Sequence, residues 1–229
     1  YPSDWVSAQE VHVNAPLPAS PAIVLVAVKP QMMAEALPSL AAMGAGKTLF
    51  LSIAAGTPIP AYEGMLGADT PIIRAMPNTP AAIGQGITAI VGNATTDAED
   101  LDLAEGLLRA IGDVVRLEDE TQMDAVTGVS GSGPAYVVHM IECLAAAGEA
   151  QGLSSDLSMQ LAKATVAGAG ALAMQAQDDP AQLRINVTSP NGTTQAGLEV
   201  LMDETAGLPS LMTATVMAAT HRSKELARG

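Results

Sequence analysis

Two hydrophobic rhythms divide the chain. The run from Ala22 to Lys29, AIVLVAVK, is continuously apolar, rich in β-branched residues and bounded by prolines. That pattern predicts a strand buried on both faces. Gln31 to Met43 follows with helical spacing that Pro38 breaks, and Thr48 to Ile53 (TLFLSI) is a second strand ending at Ala54-Ala55-Gly56. A short helix after Pro58, a strand at Pro71 to Ala75, and strands at Gly86 to Gly92 and Asp113 to Leu117 around a helix from Asp97 to Ile111 complete the first half. Between the third and fourth strands, two prolines flank Asn78-Thr79 and force irregular backbone. Alternating strands and helices predict a Rossmann-like, doubly wound, mainly parallel sheet.

After about Glu118 the strand pattern stops. Thr121 to Val129 reads as helix, interrupted at Ser130 to Pro134 (SGSGP). Long helices follow at Ala135 to Gln151 and Ser154 to Gln177, then at Asp179–Val187, Thr194–Ala206 and Pro209–Arg228. The division is therefore an α/β domain over residues 1–118 and an all-helical domain over 119–229. The Ala135 helix is apolar around most of its circumference, more than one partner helix can cover. A homodimer through the helical domain is the expected remedy.

Composition narrows the chemistry. The chain has 229 residues, 48% of them hydrophobic but only 2% aromatic, so Ala, Leu, Val, Ile and 12 methionines must build the core. A formal charge of −14 with ten basic residues argues against nucleic acid, whose phosphates need clustered Lys and Arg. No run reaches the about 18 apolar residues of a membrane span, and no signal peptide is visible, so a soluble, cytoplasmic protein is expected. Cys143 lies alone in an apolar helix and reads as a small core residue. His139 reads as a satisfied core histidine, and His12, His139 and His221 lack metal-site spacing, so no metal is expected.

The most informative segment is Leu183 to Asp203, LRINVTSPNGTTQAGLEVLMD. A polar, glycine-bearing loop runs straight into an amphipathic helix. Ser189, Thr193 and Thr194 bring hydroxyls, Gly192 permits close backbone approach, and the helix N-terminus adds unpaired N–H groups and partial positive charge. This describes a small anion site. It equally describes an ordinary helix capped by Ser, Asn or Thr. In the sheet half, ligands of open parallel sheets bind beyond the carboxyl ends of the strands. Ala27-Val28-Lys29-Pro30, Ile53-Ala54-Ala55-Gly56 and Met76 to Pro80 are such ends, small enough for a flat nicotinamide ring. No G-x-G-x-x-G fingerprint stands in the required strand-to-helix context. Glu120, at the domain junction, is the carboxylate to single out.

AVKP (Ala27–Pro30), SIAAG (Ser52–Gly56), RAMPNTPAAIGQG (Arg74–Gly86), DAVTGVSGSGPAY (Asp124–Tyr136) and NVTSPNGTTQAGLEVL (Asn186–Leu201), in this order, resemble the pyrroline-5-carboxylate reductases. The resemblance spans nearly the whole chain. It implies reduction of 1-pyrroline-5-carboxylate to L-proline with NADPH or NADH, the last step of proline biosynthesis. It also implies an N-terminal dinucleotide-binding domain and a helical domain interleaved with a second subunit in a homodimer or higher homo-oligomer. On the cofactor side it implies Asn14, Ala27, Val28, Lys29, Pro30, Ile53, Ala54, Ala55 and Glu120. On the substrate side it implies Asn186, Val187, Ser189, Gly192, Thr193 and Thr194, with Thr194 catalytic. Family members open with a strand, a glycine-rich turn and a helix that do not precede Tyr1. About the first forty residues of that architecture are thus expected to be missing here, and if they are truly absent, cofactor should bind poorly. The alternatives are a 3-hydroxyacid-dehydrogenase-like oxidoreductase, and a non-catalytic oligomerisation module.

Overall fold

The computed structural model describes residues 8, 11–12, 15–44 and 47–227. The chain forms two compact units. One comprises residues 1–76, 89–110 and 114–120; the other comprises 77–88, 111–113 and 121–229. We number the strands in chain order and the helices of about two turns or more.

Five strands form one sheet, most of whose residues belong to the first unit: β1 (Ile23–Val26), β2 (Leu49–Ser52), β3 (Ile72–Met76), β4 (Gly86–Gly92) and β5 (Gly112–Arg116), in spatial order β1-β2-β3-β4-β5. β1, β2 and β3 are parallel, with Val24 opposite Phe50 and Phe50 opposite Ile72. Every residue of β2 is buried, as are Ile72, Ile73 and Ala75, which accounts for the unbroken apolar runs. β4 departs from the doubly wound expectation: it pairs with β3 antiparallel, Ala75 facing Ile90. Only a 3-10 turn, Thr79–Ile83, separates the two strands. That link is too short for a parallel crossover but suits an antiparallel return.

The strand β1 is shorter than its apolar run, because Ala27 to Lys29 leave the sheet as loop. Residues 30–44 fold into single turns rather than one helix. Pro38 sits in a 3-10 turn, Leu37–Leu40, between two one-turn α segments, since proline supplies no N–H to an α ladder. α1 (Ile59–Leu66) buries Ile59, Tyr62 and Leu66. α2 (Ala98–Leu108) starts at Asp97, whose carboxylate accepts the Glu99 and Asp100 amides while Asp100 returns a bond to the Asp97 amide. Within the acidic cluster, Asp97 and Asp100 thus form a reciprocal cap at its start, while Asp102 pairs with Arg116.

The second unit carries α3 (Gly133–Ala150), α4 (Ser155–Gln175), α5 (Pro180–Asn186), α6 (Thr193–Leu201) and α7 (Leu208–Leu226). The expected interruption at SGSGP narrows to one residue, Ser132, between a π-helical turn and α3. The chain passes from a turn at Met123–Val126 through a π-helical turn, Thr127–Gly131, and on into α3. The Ser132 amide bonds the Thr127 carbonyl at 2.9 Å, the i to i+5 step that absorbs the glycines. Gly128 packs against Val216 and Thr220 of α7. The Ser223 hydroxyl donates to Asp124 Oδ1 at 2.6 Å, fastening α7 to the same turn.

This unit has little interior of its own. In α3 and α4 only Ala145, Ser158 and Ala162 are buried. Val138, Leu161 and Met217 are 56%, 48% and 67% exposed. Cys143 and His139, expected in a core, are exposed as well: His139 Nδ1 lies 2.8 Å from Glu142 and its Nε2 3.6 Å from Cys143 Sγ. The apolar circumference of α3 is real, but this chain by itself does not cover it. Among the described residues, no helix is long and apolar enough to cross a membrane.

Candidate active site

In the helical unit the informative loop resolves one ambiguity. α6 begins at Thr193 with Gly192 as its N-cap, and no side chain caps it. Serine, asparagine and threonine surround the helix start without performing the usual capping. The Gly192 amide bonds the Ser189 carbonyl at 3.0 Å, and Asn191 takes a left-handed φ of 58°. That conformation is one asparagine tolerates better than most residues. The Gln195 side chain is occupied by the Asn191 amide, at 2.8 Å, and by Glu199. The first turn therefore keeps its N–H groups and its positive dipole end for another partner.

Thr193, Thr194, Ser189, Asn186 and Val187 are exposed, and Gly192 is half-buried. The Asn186 amide group is held from both sides, accepting from Gln182 at 2.7 Å and donating to Asp178 at 3.0 Å. It braces the end of α5 instead of offering a free amide. The Thr188 hydroxyl donates to the Arg184 carbonyl at 2.6 Å, tying the loop to the same helix.

In the sheet unit, β1 and β2 run parallel, so Ala27–Pro30 and Ile53–Ala55 leave the sheet at one edge. Ala27, Lys29, Pro30 and Ala55 are exposed, Val28 and Ile53 half-buried, and Ala54 buried. The Ile53 amide bonds the Val26 carbonyl at 3.1 Å, which keeps the two segments adjacent. The edge offers small side chains, open backbone and the Lys29 ammonium. Such a donor set suits an anionic, flat dinucleotide. Asn14 lies outside the described residues.

Glu120 accepts the Ile59 amide at 2.8 Å and pairs with the Arg74 guanidinium at 2.7 Å, both on Oε1. Arg74 is only 4% exposed. Sequence reasoning selected Glu120 but missed Arg74, Ser52 and Tyr62. The signal available was an arginine inside the otherwise apolar PIIRA strand, which a buried position requires to be paired.

Residues 120–226 match the family model described as pyrroline-5-carboxylate reductase dimerisation. The chain is 41% identical over 217 residues to the pyrroline-5-carboxylate reductase of Pseudomonas aeruginosa, covering 95% of this chain and 79% of that protein. With the Synechocystis enzyme of the same name it shares 46% identity over 206 residues, covering 90% and 75% of the two chains. Among solved structures, a pyrroline-5-carboxylate reductase from Coxiella burnetii superposes with a TM-score of 0.86 at 37% identity, over 90% of this chain and 76% of that one. Plasmodium falciparum pyrroline carboxylate reductase with NADP bound gives 0.78 at 31% identity, over 90% and 77%. By sequence along most of its length and by fold, this chain belongs to the pyrroline-5-carboxylate reductase family.

Proposed function

We propose that this protein reduces 1-pyrroline-5-carboxylate to L-proline with NADPH or NADH. The observation that carries the reading is the start of α6: a helix N-terminus with no side-chain cap, flanked by the Ser189, Thr193 and Thr194 hydroxyls. An uncapped first turn is suited to a carboxylate, and such contacts contribute about 0.3–1 kcal/mol each at an exposed helix end. Membership of the reductase family supplies the rest of the argument.

The dinucleotide, when bound, supplies the hydride that adds to the carbon of the C=N bond. Ala27, Val28, Lys29 and Pro30 with Ile53, Ala54 and Ala55 would hold its nicotinamide half, and Asn14 its adenosine side. Ser189, Gly192 and Thr193 would hold the substrate carboxylate at the α6 N-terminus. Asn186 and Val187 would shape the loop behind them. The Thr194 hydroxyl would hydrogen-bond the ring nitrogen and orient the C=N carbon. A protonated imine is already electrophilic, so positioning is the main task left to the protein. Residues 1–118 would serve the dinucleotide, and 119–229 the substrate and dimerisation. The exposed apolar faces of α3, α4 and α7 support a homodimer through the helical unit.

The direct test is NADPH oxidation by the intact protein with and without 1-pyrroline-5-carboxylate. Oxidation that depends on the cyclic imine, with proline as product, supports the reading. No imine-dependent oxidation with either NADPH or NADH contradicts it.

A further inference from the structure

The six residues from Ile53 to Pro58 connect β2 to α1 and include Ala54 and Ala55. Each end of this loop is held by a polar pair, fully buried at the start and part-buried at the end. At its start, the Ala54 amide donates to Ser52 Oγ at 3.2 Å, and Ser52 Oγ shares a 2.6 Å hydrogen bond with the Tyr62 hydroxyl. Ser52 and Tyr62 are each 1% exposed. At its end, the Ile59 amide donates to Glu120 Oε1, the oxygen that also takes Arg74.

Ser52 and Arg74 are register partners on adjacent parallel strands. Paired residues of neighbouring strands project from the same face. Both anchors therefore rise from one face of the sheet, Ser52 toward Tyr62 of α1 and Arg74 toward the first amide of the same helix. Their neighbours, Leu49, Phe50, Leu51, Ile72 and Ile73, are apolar and fully buried. Polar pairs in such a setting do not stabilise more than apolar packing would. What they add is a fixed acceptor for each of two loop amides. Gly56, with φ of 77°, makes the turn between the anchors.

We infer that Ser52, Tyr62, Arg74 and Glu120 are positioning residues that clamp the Ile53–Pro58 loop at both ends in the shape it presents to the cofactor. The role rests on the reading that Ile53–Ala55 border the nicotinamide half.

The test is residue-resolved amide exchange of the intact protein with an NADPH titration, on wild type, Tyr62→Phe, Glu120→Ala and Glu120→Gln. Phenylalanine fills the Tyr62 site and removes only the hydroxyl. Losing one such hydrogen bond is worth about a tenfold change in local opening. Exchange at Ala54 should rise about tenfold in Tyr62→Phe, and exchange at Ile59 by at least as much in Glu120→Ala. Glu120→Gln keeps an oxygen for the Ile59 amide and should restore its protection, which also covers the case where Glu120→Ala does not fold. The Kd for NADPH should rise about tenfold wherever the loop amides lose protection. Unchanged exchange at Ala54 and Ile59 overturns the proposal. So does faster exchange with unchanged NADPH affinity. A wild-type protein that binds no NADPH overturns the cofactor reading, and the loop's role with it, whatever the amides do.

Discussion

Replacing Arg74 and replacing Glu120 should have unequal costs, although the two side chains face each other. The Arg74 side chain is 5% exposed and that of Glu120 is 23% exposed. Glu120→Ala leaves a guanidinium in the sheet interior with no anion, and it strips the Ile59 amide of its acceptor. Removing one partner of a buried pair costs about 3–5 kcal/mol. Arg74→Met leaves a carboxylate that still accepts the Ile59 amide and reaches solvent, so about 2 kcal/mol is expected. The double variant removes both charges and should cost at least about 2 kcal/mol less than the sum of the two. Amide exchange at Leu51 and Ile73, in the centre of the sheet, reads the stability of this unit at fixed protein concentration. A cost of 3 kcal/mol corresponds to about 150-fold faster exchange. Additive costs within about 0.5 kcal/mol, or Arg74→Met costing more than Glu120→Ala, would mean that the two charges do not depend on each other in this way.

Other expectations follow from single positions. Gly112→Ala should lower the melting temperature by well over 5 °C, because φ is 141° there and a Cβ would strike the Gly86 backbone; a shift within 1–2 °C, about the scale of a neutral surface change, contradicts this. Acid should weaken the fold through two carboxyls, the half-buried Glu105 and the exposed Asp203. Hydrogen bonds from Arg109 and then Arg116 hold Glu105 below its ordinary 4.5, and the Ala206 amide and Thr205 hold Asp203 below 3.8. Both folded-state values are depressed, so their contribution is complete above the ordinary values and disappears as pH falls through the lowered ones. Glu105→Gln should flatten the acid limb of a melting-temperature profile, and an unchanged limb counts against it. Leu161→Glu, on the exposed face of α4, should turn a dimeric sedimentation profile monomeric with secondary structure retained. A wild-type profile that is monomeric at micromolar concentration contradicts the dimer.

Much of this fold is written locally in the chain. The apolar runs at β1, β2 and β3 give buried strands, and the long apolar stretches after Gly133 give α3 and α4. What stayed hidden depends on partners distant in sequence or on competing local rules. The glycines and proline of SGSGP spell a wide break, yet Gly128 is packed against α7, and a π turn narrows the break to Ser132. β4 has strand composition whichever way it runs; only the shortness of the Thr79–Ile83 link makes it antiparallel. At α6 the residue types allow three side-chain caps, and the backbone uses Gly192 instead. Glu120 stood out by its place at the junction, but its partner Arg74 is 46 residues earlier, and no periodicity links them.

In the proposed function, the α6 N-terminus and the Thr194 hydroxyl orient a cyclic imine for reduction. Steady-state kinetics of Thr194→Ala and Thr194→Ser with 1-pyrroline-5-carboxylate and NADPH test it most directly. Thr194 is exposed and makes no side-chain hydrogen bond among the described residues. Its truncation should therefore change stability by less than about 0.5 kcal/mol. Losing one transition-state hydrogen bond should lower kcat by about 10²-fold in the alanine variant, and serine should restore most of it. An alanine variant that folds normally and turns over at the wild-type rate would contradict the account.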